Sequence, residues 1–371
     1  MALVELEVEK VILRSVSIPL VEPFRISNGE VTAKDSIVIE VHAKDMIGYG
    51  EASAMGGSFY SKETPESTLT ALVNDLVPDL LRRTVTSPVD YAHQLNSYGK
   101  EAFARAGMEG AVWDLTAQRL GTSIQDLIAP AERPVYSGLA IGIFDTIDEL
   151  LMSIERQLVH GYKRVKIKIM PGWDMEPLHA VRKRFGDIPL MVDANAAYTL
   201  ADHVRVLHDL DQFGLIMIEQ PLSHDAYIEM AYLTRELKTP ICADESADSM
   251  ESFGQILHHR SAQIINIKVQ RLGGLWNAKE MHDRAMGAGL ECWLGTMPEL
   301  GIASAQSLAI AGMRGMVYPT DVEASDRWYV DDIVEPKIEV VEGVVAQPAS
   351  GFKVDAAKLH CYTTSVHEFV R

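Results

Sequence analysis

From residue 134 onward the chain repeats one small unit. Seven short apolar runs, Val135–Ala140, Val165–Ile169, Leu190–Asp193, Ile216–Glu219, Ile241–Asp244, Ile264–Lys268 and Leu290–Leu294, begin 23 to 30 residues apart. Each is followed by a segment whose apolar residues have helical spacing. A strand that returns parallel to its predecessor needs a crossover of a dozen residues or more, and a helix supplies it. The spacing therefore reads as successive βα units around a parallel sheet. Thr146-Ile147-Asp148-Glu149 forms a capping box, and Ile147, Leu150, Leu151, Ile154 and Leu158 form one apolar stripe that Gly161 terminates. An eighth strand candidate lies near 317–322. The pattern predicts an α/β fold built on a (β/α)7β TIM-like barrel. An open doubly wound sheet is the competitor, and no GxGxxG follows the first run, which weakens its dinucleotide-binding form.

Residues 1–130 do not share this repeat. Ser36–Val41 is dense in β-branched residues, Pro23–Gly29 is turn-rich, and helical patterns lie near 66–83 and 101–120. The second of these is rich in Ala and Gly, which permits close helix packing. A chain of 371 residues exceeds what one core usually supports. We expect an α+β capping domain over 1–130, a barrel over 131–330, and a segment 331–371 whose strands at 333–341 and 351–354 return to the cap.

Composition narrows the function. A net charge of −18 argues against general binding to nucleic acid or anionic membrane. Three widely spaced cysteines give neither a disulfide framework nor a zinc knuckle. No apolar run approaches the roughly 18–20 residues that span a bilayer. The N-terminus is acidic and alternating, unlike a signal peptide. A soluble, cytoplasmic protein is expected.

The chemistry lies in the charges at the strand ends, where barrels of this kind carry their active sites. In Val165-Lys166-Ile167-Lys168-Ile169 the alternation turns the apolar residues toward the helices and both lysines into the barrel. The third run ends in Asp193, the fourth in Glu219, the fifth in Asp244 and the sixth in Lys268, with Asn266 on the same face. One such residue alone would be an ordinary loop or cap residue. Three buried carboxylates on one wall would repel, at several kcal/mol each, unless they surround a cation. All-oxygen ligation favours Mg2+ or Mn2+ over Zn2+.

In an eight-stranded barrel the second and sixth strands face each other across the mouth. Lys168 and Lys268 would then flank a carboxylate substrate, an arrangement suited to removing the proton α to it. A lysine base must fall from about 10.4 to roughly 7–8, worth about 4 kcal/mol. Lys166, about 6.6 Å along the strand, supplies roughly 2.5 kcal/mol of that at an effective dielectric of 20. Desolvation must supply the rest.

At these residues the sequence resembles the enolase superfamily, in its muconate lactonizing enzyme subgroup, over essentially the whole chain. Gly295-Thr296-Met297-Pro298-Glu299-Leu300-Gly301 is similar to the GGMxETG segment of o-succinylbenzoate synthases and N-succinylamino acid racemases. Tyr318–Asp321, Ala324–Tyr329 and Asp332–Pro336 follow the same group, and Leu20–Arg25 resembles its first cap loop. The resemblance implies that Asp193, Glu219 and Asp244 bind Mg2+ and that Lys168 is the general base. Lys268 becomes a second base in racemisation, or a cation over the ring in dehydration. Lys166 tunes Lys168, and Asn195, Glu245 and Asn266 support the site. Phe24 and the loop around Ser58 and Tyr60 close over the substrate, with Asn195, Met297 and Glu299 in contact with it. Thr296 and Leu300 depart from the usual Gly and Thr, which bears on substrate identity.

The activity so implied is metal-dependent lyase chemistry, the dehydration that gives o-succinylbenzoate in menaquinone biosynthesis, with N-succinylamino acid racemisation from the same α-proton step. The expected partners are a small carboxylate and further copies of the chain. Alternatives within the subgroup are a dipeptide epimerase or a muconate cycloisomerase. Outside it stand a metal-free Schiff-base lyase using Lys168 or Lys268, and a noncatalytic binding protein on the same scaffold.

Overall fold

The computed structural model describes residues 4–27, 29–56, 61–99, 101–130, 134–349 and 351–371. The N-terminal part is a long antiparallel hairpin, β1 (Lys10–Ile26) and β2 (Gly29–Ala43), with β3 (Met46–Ala52) beside it. Of the turn-rich stretch, Pro23–Ile26 ends β1 and Gly29 opens β2. Phe24, Arg25 and Ile26 pair with Val31, Glu30 and Gly29 across a register shift after Pro19. Proline has no N–H to give a ladder, so a segment that opens on Pro23 reads as loop although an irregular strand accepts it.

Helix α1 (Ala102–Leu120) crosses β3 at backbone distance. A Cβ added to Gly50 would lie 1.9 Å from the carbonyl oxygen of Gly107. The small residues of α1 are what let the two backbones meet.

The barrel strands are β4 (Leu139–Ile141), β5 (Val165–Lys168), β6 (Leu190–Asp193), β7 (Ile218–Glu219), β8 (Ile241–Ala243), β9 (Ile264–Ile267) and β10 (Glu291–Leu294). They form one parallel sheet in sequence order. The eighth stretch closes it through isolated bridges, Met316 to Cys292 and Thr320 to Ser137. Helix α2 (Ile147–Leu158) carries the expected capping box and buries Leu150 and Ile154. These pack with Val165, Ile167 and Ile169 in the layer between strands and helices. Met191, Met217, Cys242, Ile264 and Trp293 form a separate apolar floor inside the barrel.

Over 333–354 the tail returns to the cap by packing rather than by pairing. Ile333, Val334 and Val354 pack against Val16, Ile18, Leu20 and Val38 of β1 and β2, while Val334–Glu335 pairs with Lys353–Val354 and Val340–Val341 with Val344–Val345, so neither segment pairs with the cap sheet. The strand that does is β11 (Thr363–Val370), which pairs with β1. It is an edge strand with mostly exposed side chains, so it carries little apolar signal.

Cap and barrel meet through buried carboxylates at helix starts. Glu51 on β3 accepts from the N–H groups of Leu300 and Ala303, each at 2.9 Å, where α4 (Gly301–Ala311) begins. Glu109 on α1 accepts from the Trp276 N–H at 2.9 Å, in the first turn of α3 (Leu275–Gly287). Helix N-termini hold unpaired N–H groups and partial positive charge, which compensates a buried acid. Among the described residues no helix is long and apolar enough to cross a membrane.

Candidate active site

Strand alternation sets a layer of charge on the apolar floor. Met191 lies two residues before Asp193, Met217 before Glu219, Cys242 before Asp244 and Ile264 before Asn266. Lys166 stands over the Trp293 ring at 5.0 Å. Lys166, Lys168, Asp193, Glu219, Asp244, Asn266 and Lys268 are each no more than 5% exposed, so neither Lys168 nor Lys268 reaches bulk water.

The opposite charges pair within this layer. Lys168 Nζ donates to Asp193 Oδ2 at 2.6 Å. Lys268 Nζ donates to Asp244 Oδ2 at 2.9 Å, and Arg271 Nη2 donates to Asp244 Oδ1 at 2.6 Å. Lys166 Nζ reaches Asp321 Oδ2 at 2.5 Å and Glu219 Oε2 at 3.3 Å. Asn266 Nδ2 donates to Glu219 Oε1 at 2.6 Å. Gly295 makes room for that amide, because a Cβ there would meet Asn266 Oδ1 at 2.1 Å.

Burial and the neighbours pull these groups apart in titration. Burial opposes the charge of Lys166, but Asp321, Glu219 and Asp193 outweigh it and raise its pKa above the ordinary lysine value. Lys268 is raised in the same sense, burial being outweighed chiefly by Asp244. Asp244 is lowered, because Arg271 and Lys268 overcome burial. Glu219 is pushed up to about 8 by burial, with repulsion from Asp193 next in weight and a further contribution from Asp244.

That repulsion tests whether the residues suit a divalent cation. Burial, with Asp193 and Asp244 beside it, disfavours a charged Glu219 in the absence of further positive charge, and every candidate donor is a hard oxygen. The donor chemistry fits. Among the described residues no three His, Cys, Asp or Glu side chains stand grouped as a finished cation cage. Each of the three carboxylates is instead turned onto an ammonium or guanidinium partner.

A cavity opens over the layer, beneath the cap. Lys166, Lys168 and Lys268 line its base, with Phe24, Ile26 and Met55 from the cap. Thr296, Met297, Glu299, Asp321, Glu323 and Trp328 line its walls. Phe24 meets the edge of Trp328 at 4.8 Å between ring centroids. Burial and Glu51 push Glu299 up to about 8. Asn195, expected against substrate, does not line the cavity. Its positive φ of 42° turns the chain back beside the carboxylates. There its N–H donates to Asp193 Oδ1 at 2.9 Å and its Nδ2 to Glu245 Oε1 at 3.0 Å. Ser58 and Tyr60 fall outside the described residues.

Sequence reasoning passed over several members of the site. Arg271 lies one helical turn beyond Lys268, a spacing that could have flagged it. Asp321 ends the eighth stretch, and the strand-end rule applied there would have found it. It holds Lys166 and, at 2.6 Å, Arg164 Nη2. Glu323 had no signal beyond its place two residues later.

Comparisons with known proteins bear on the family and the fold. Residues 149–357 match the family described as enolase C-terminal domain-like. Residues 8–129 match the mandelate racemase / muconate lactonizing enzyme N-terminal domain. The chain is 40% identical over 370 residues to an o-succinylbenzoate synthase of Geobacillus kaustophilus, covering 99% of this chain and 98% of the relative. It is 38% identical over 325 residues to an N-succinylamino acid racemase of Amycolatopsis sp, covering 87% and 88%. A solved structure of an enolase superfamily member from Listeria innocua matches with a TM-score of 0.91 at 33% identity, covering 98% and 99%.

Proposed function

The chain belongs to the enolase superfamily, in its mandelate racemase / muconate lactonizing enzyme branch, and from that premise we propose that it removes the proton α to a carboxylate. The reaction proposed is o-succinylbenzoate synthesis by dehydration, in menaquinone biosynthesis, with N-succinylamino acid racemisation as a second outcome of the same first step. The observation that carries the reading is the pair of buried amines, Lys168 on Asp193 and Lys268 on Asp244, lining one cavity from strands four places apart.

Enzymes of this superfamily generally depend on a divalent metal, and Asp193, Glu219 and Asp244 would hold it, with Mg2+ the expected ion and Mn2+ the alternative. When bound, it supplies positive charge to the substrate carboxylate as negative charge develops there. Lys168 takes the α-proton. Lys268 returns a proton to the opposite face in racemisation, or stands as a cation there in dehydration. Lys166, kept charged by Asp321 and Glu219, faces the substrate carboxylate. Phe24, Met55, Met297 and Trp328 exclude water, which strengthens these interactions. The protein is expected in the cytoplasm as an oligomer of identical chains.

The test is metal-dependent turnover by purified protein. Both formation of o-succinylbenzoate and exchange of the α-proton of an N-succinylamino acid with deuterium should require added Mg2+ or Mn2+ and stop on chelation. Turnover that persists after complete chelation, or covalent trapping of substrate by borohydride, would replace this reading with Schiff-base chemistry.

A further inference from the structure

The wall of the cavity carries another carboxylate that α-proton removal does not use. Glu323 lies two residues beyond Asp321, after the stretch that closes the barrel, and both line the cavity. It lines the cavity and is 5% exposed. Its Oε1 accepts from the Ala140 N–H at 2.7 Å. Its Oε2 has no hydrogen-bond partner among the described residues. The nearest cation recorded for it is Arg327, whose Nε lies 3.7 Å away and is itself without a hydrogen-bond partner among the described residues. A buried acceptor left unfilled is costly to keep, and a ligand donor would relieve it. Burial pushes Glu323 up to about 7, with Arg327 and the Ala140 N–H acting against it.

The register locates this oxygen relative to the chemistry. Ala140, which holds Glu323, pairs with Lys166. Two strand spacings, about 10 Å, therefore separate Glu323 from Lys166 around the rim, within the length of one small substrate. Arg327 already stands beside the carboxylate, 3.7 Å away, so a neutral donor is enough to fill Oε2.

We propose that Glu323 is a specificity-determining residue whose Oε2 accepts a hydrogen bond from a substrate N–H. Among racemisation substrates of the same shape, those whose reacting carbon bears an acylated N–H are thereby favoured over those with an ester oxygen at that place. This rests on the α-proton reading and names a substrate class for it.

The test is a cycle of two changes, one in the substrate and one in the protein. The substrates are an N-succinylamino acid and its O-succinyl 2-hydroxy acid counterpart, in which oxygen replaces N–H. Exchange of the α-proton with deuterium is followed by NMR on metal-supplemented enzyme. E323Q keeps an oxygen for the Ala140 N–H and turns an NH2 toward the substrate, exchanging acceptor for donor. The ratio of amide to ester exchange should fall roughly 10-fold or more from wild type to E323Q, the size expected for a hydrogen bond to a charged group. E323S, smaller and less demanding of space, should lower the ratio in the same direction if E323Q folds poorly. An unchanged ratio in a folded variant, whether or not both rates drop, overturns the proposal alone and makes Glu323 structural. Absence of exchange by the wild-type enzyme with any carboxylate overturns the α-proton reading, and the proposal falls with it.

Discussion

Two lysines on one strand do different things because their partners differ. Lys166 is held by Asp321 and Glu219, with Asp193 within 3.8 Å, and stays charged despite burial. Lys168, one pleat further out, is hydrogen-bonded to Asp193 and lines the cavity. Replacing Lys168 with Ala should lower kcat by about 10²- to 10⁴-fold, the usual worth of a positioned base, with a much smaller change in KM. Equal effects on both would make Lys168 a binding residue. Lys268→Arg keeps the cation and removes the base. With separate enantiomers of an N-succinylamino acid, α-deuterium exchange should stop for one hand and continue for the other. Loss of both hands together would argue against two opposed bases. These positions were legible in the sequence because alternation and strand ends define them locally. Arg271 had only its spacing from Lys268 and Glu323 only its place two residues after Asp321, since their meaning comes from contacts to Asp244 and Ala140 far along the chain.

At the scale of elements, the helices that join cap to barrel begin on acids from the cap. Glu109 accepts from the Trp276 N–H and from Trp113 Nε1, at 2.9 and 2.7 Å, through Oε1 alone. A Cβ on Gly274 would collide with its Oε2, so the glycine before α3 leaves space for the acid as well as for its own φ of 138°. Burial pushes Glu109 up to about 7, above its unfolded value near 4.5. Over that window the native chain keeps a proton that the unfolded chain releases, so this group lowers stability as pH rises from about 4.5 to 7. The swing is at most about 3 kcal/mol. Glu109→Gln keeps the Oε1 acceptor and cannot ionise. The stability of the variant relative to wild type should therefore rise between pH 4.5 and 8, measured by urea unfolding. A flat difference would show that Glu109 is not the titrating group. The capping box at Thr146 could be read in advance because both its members lie within four residues. The Glu109 cap could not, its partners lying 167 positions apart.

For the whole molecule, cap and barrel are bound through polar contacts buried in the seam. Glu51 holds the start of α4 and accepts from Ser36 Oγ at 2.8 Å and from Ser53 Oγ. Burial pushes nearby Lys34 down to about 8, and the charges of Glu51 and Glu299 act against that shift. Glu51→Ala should cost about 3–5 kcal/mol, because removing one member leaves buried groups uncompensated. A loss under 1 kcal/mol in denaturant unfolding would mean the seam is held elsewhere. The charge cluster should also make stability metal-dependent. A divalent ion at 100 times its Kd adds about 2.7 kcal/mol, so Mg2+ should raise the thermal midpoint and chelation lower it, while Lys268→Ala, which removes a competing cation from Asp244, should bind the ion more tightly. A midpoint indifferent to Mg2+ and Mn2+ would argue against the three carboxylates as ligands. The repeat, the inward lysines and the acidic strand ends were fixed by the chain alone, because periods of two and of about 25 residues are properties of neighbours in sequence. The strand β11, the Asp321–Lys166 contact, the Glu51 and Glu109 caps and the open oxygen of Glu323 were decided only in three dimensions. Each joins groups far apart along the chain, and what sets its energy is burial and a partner's position, neither of which a single sequence contains.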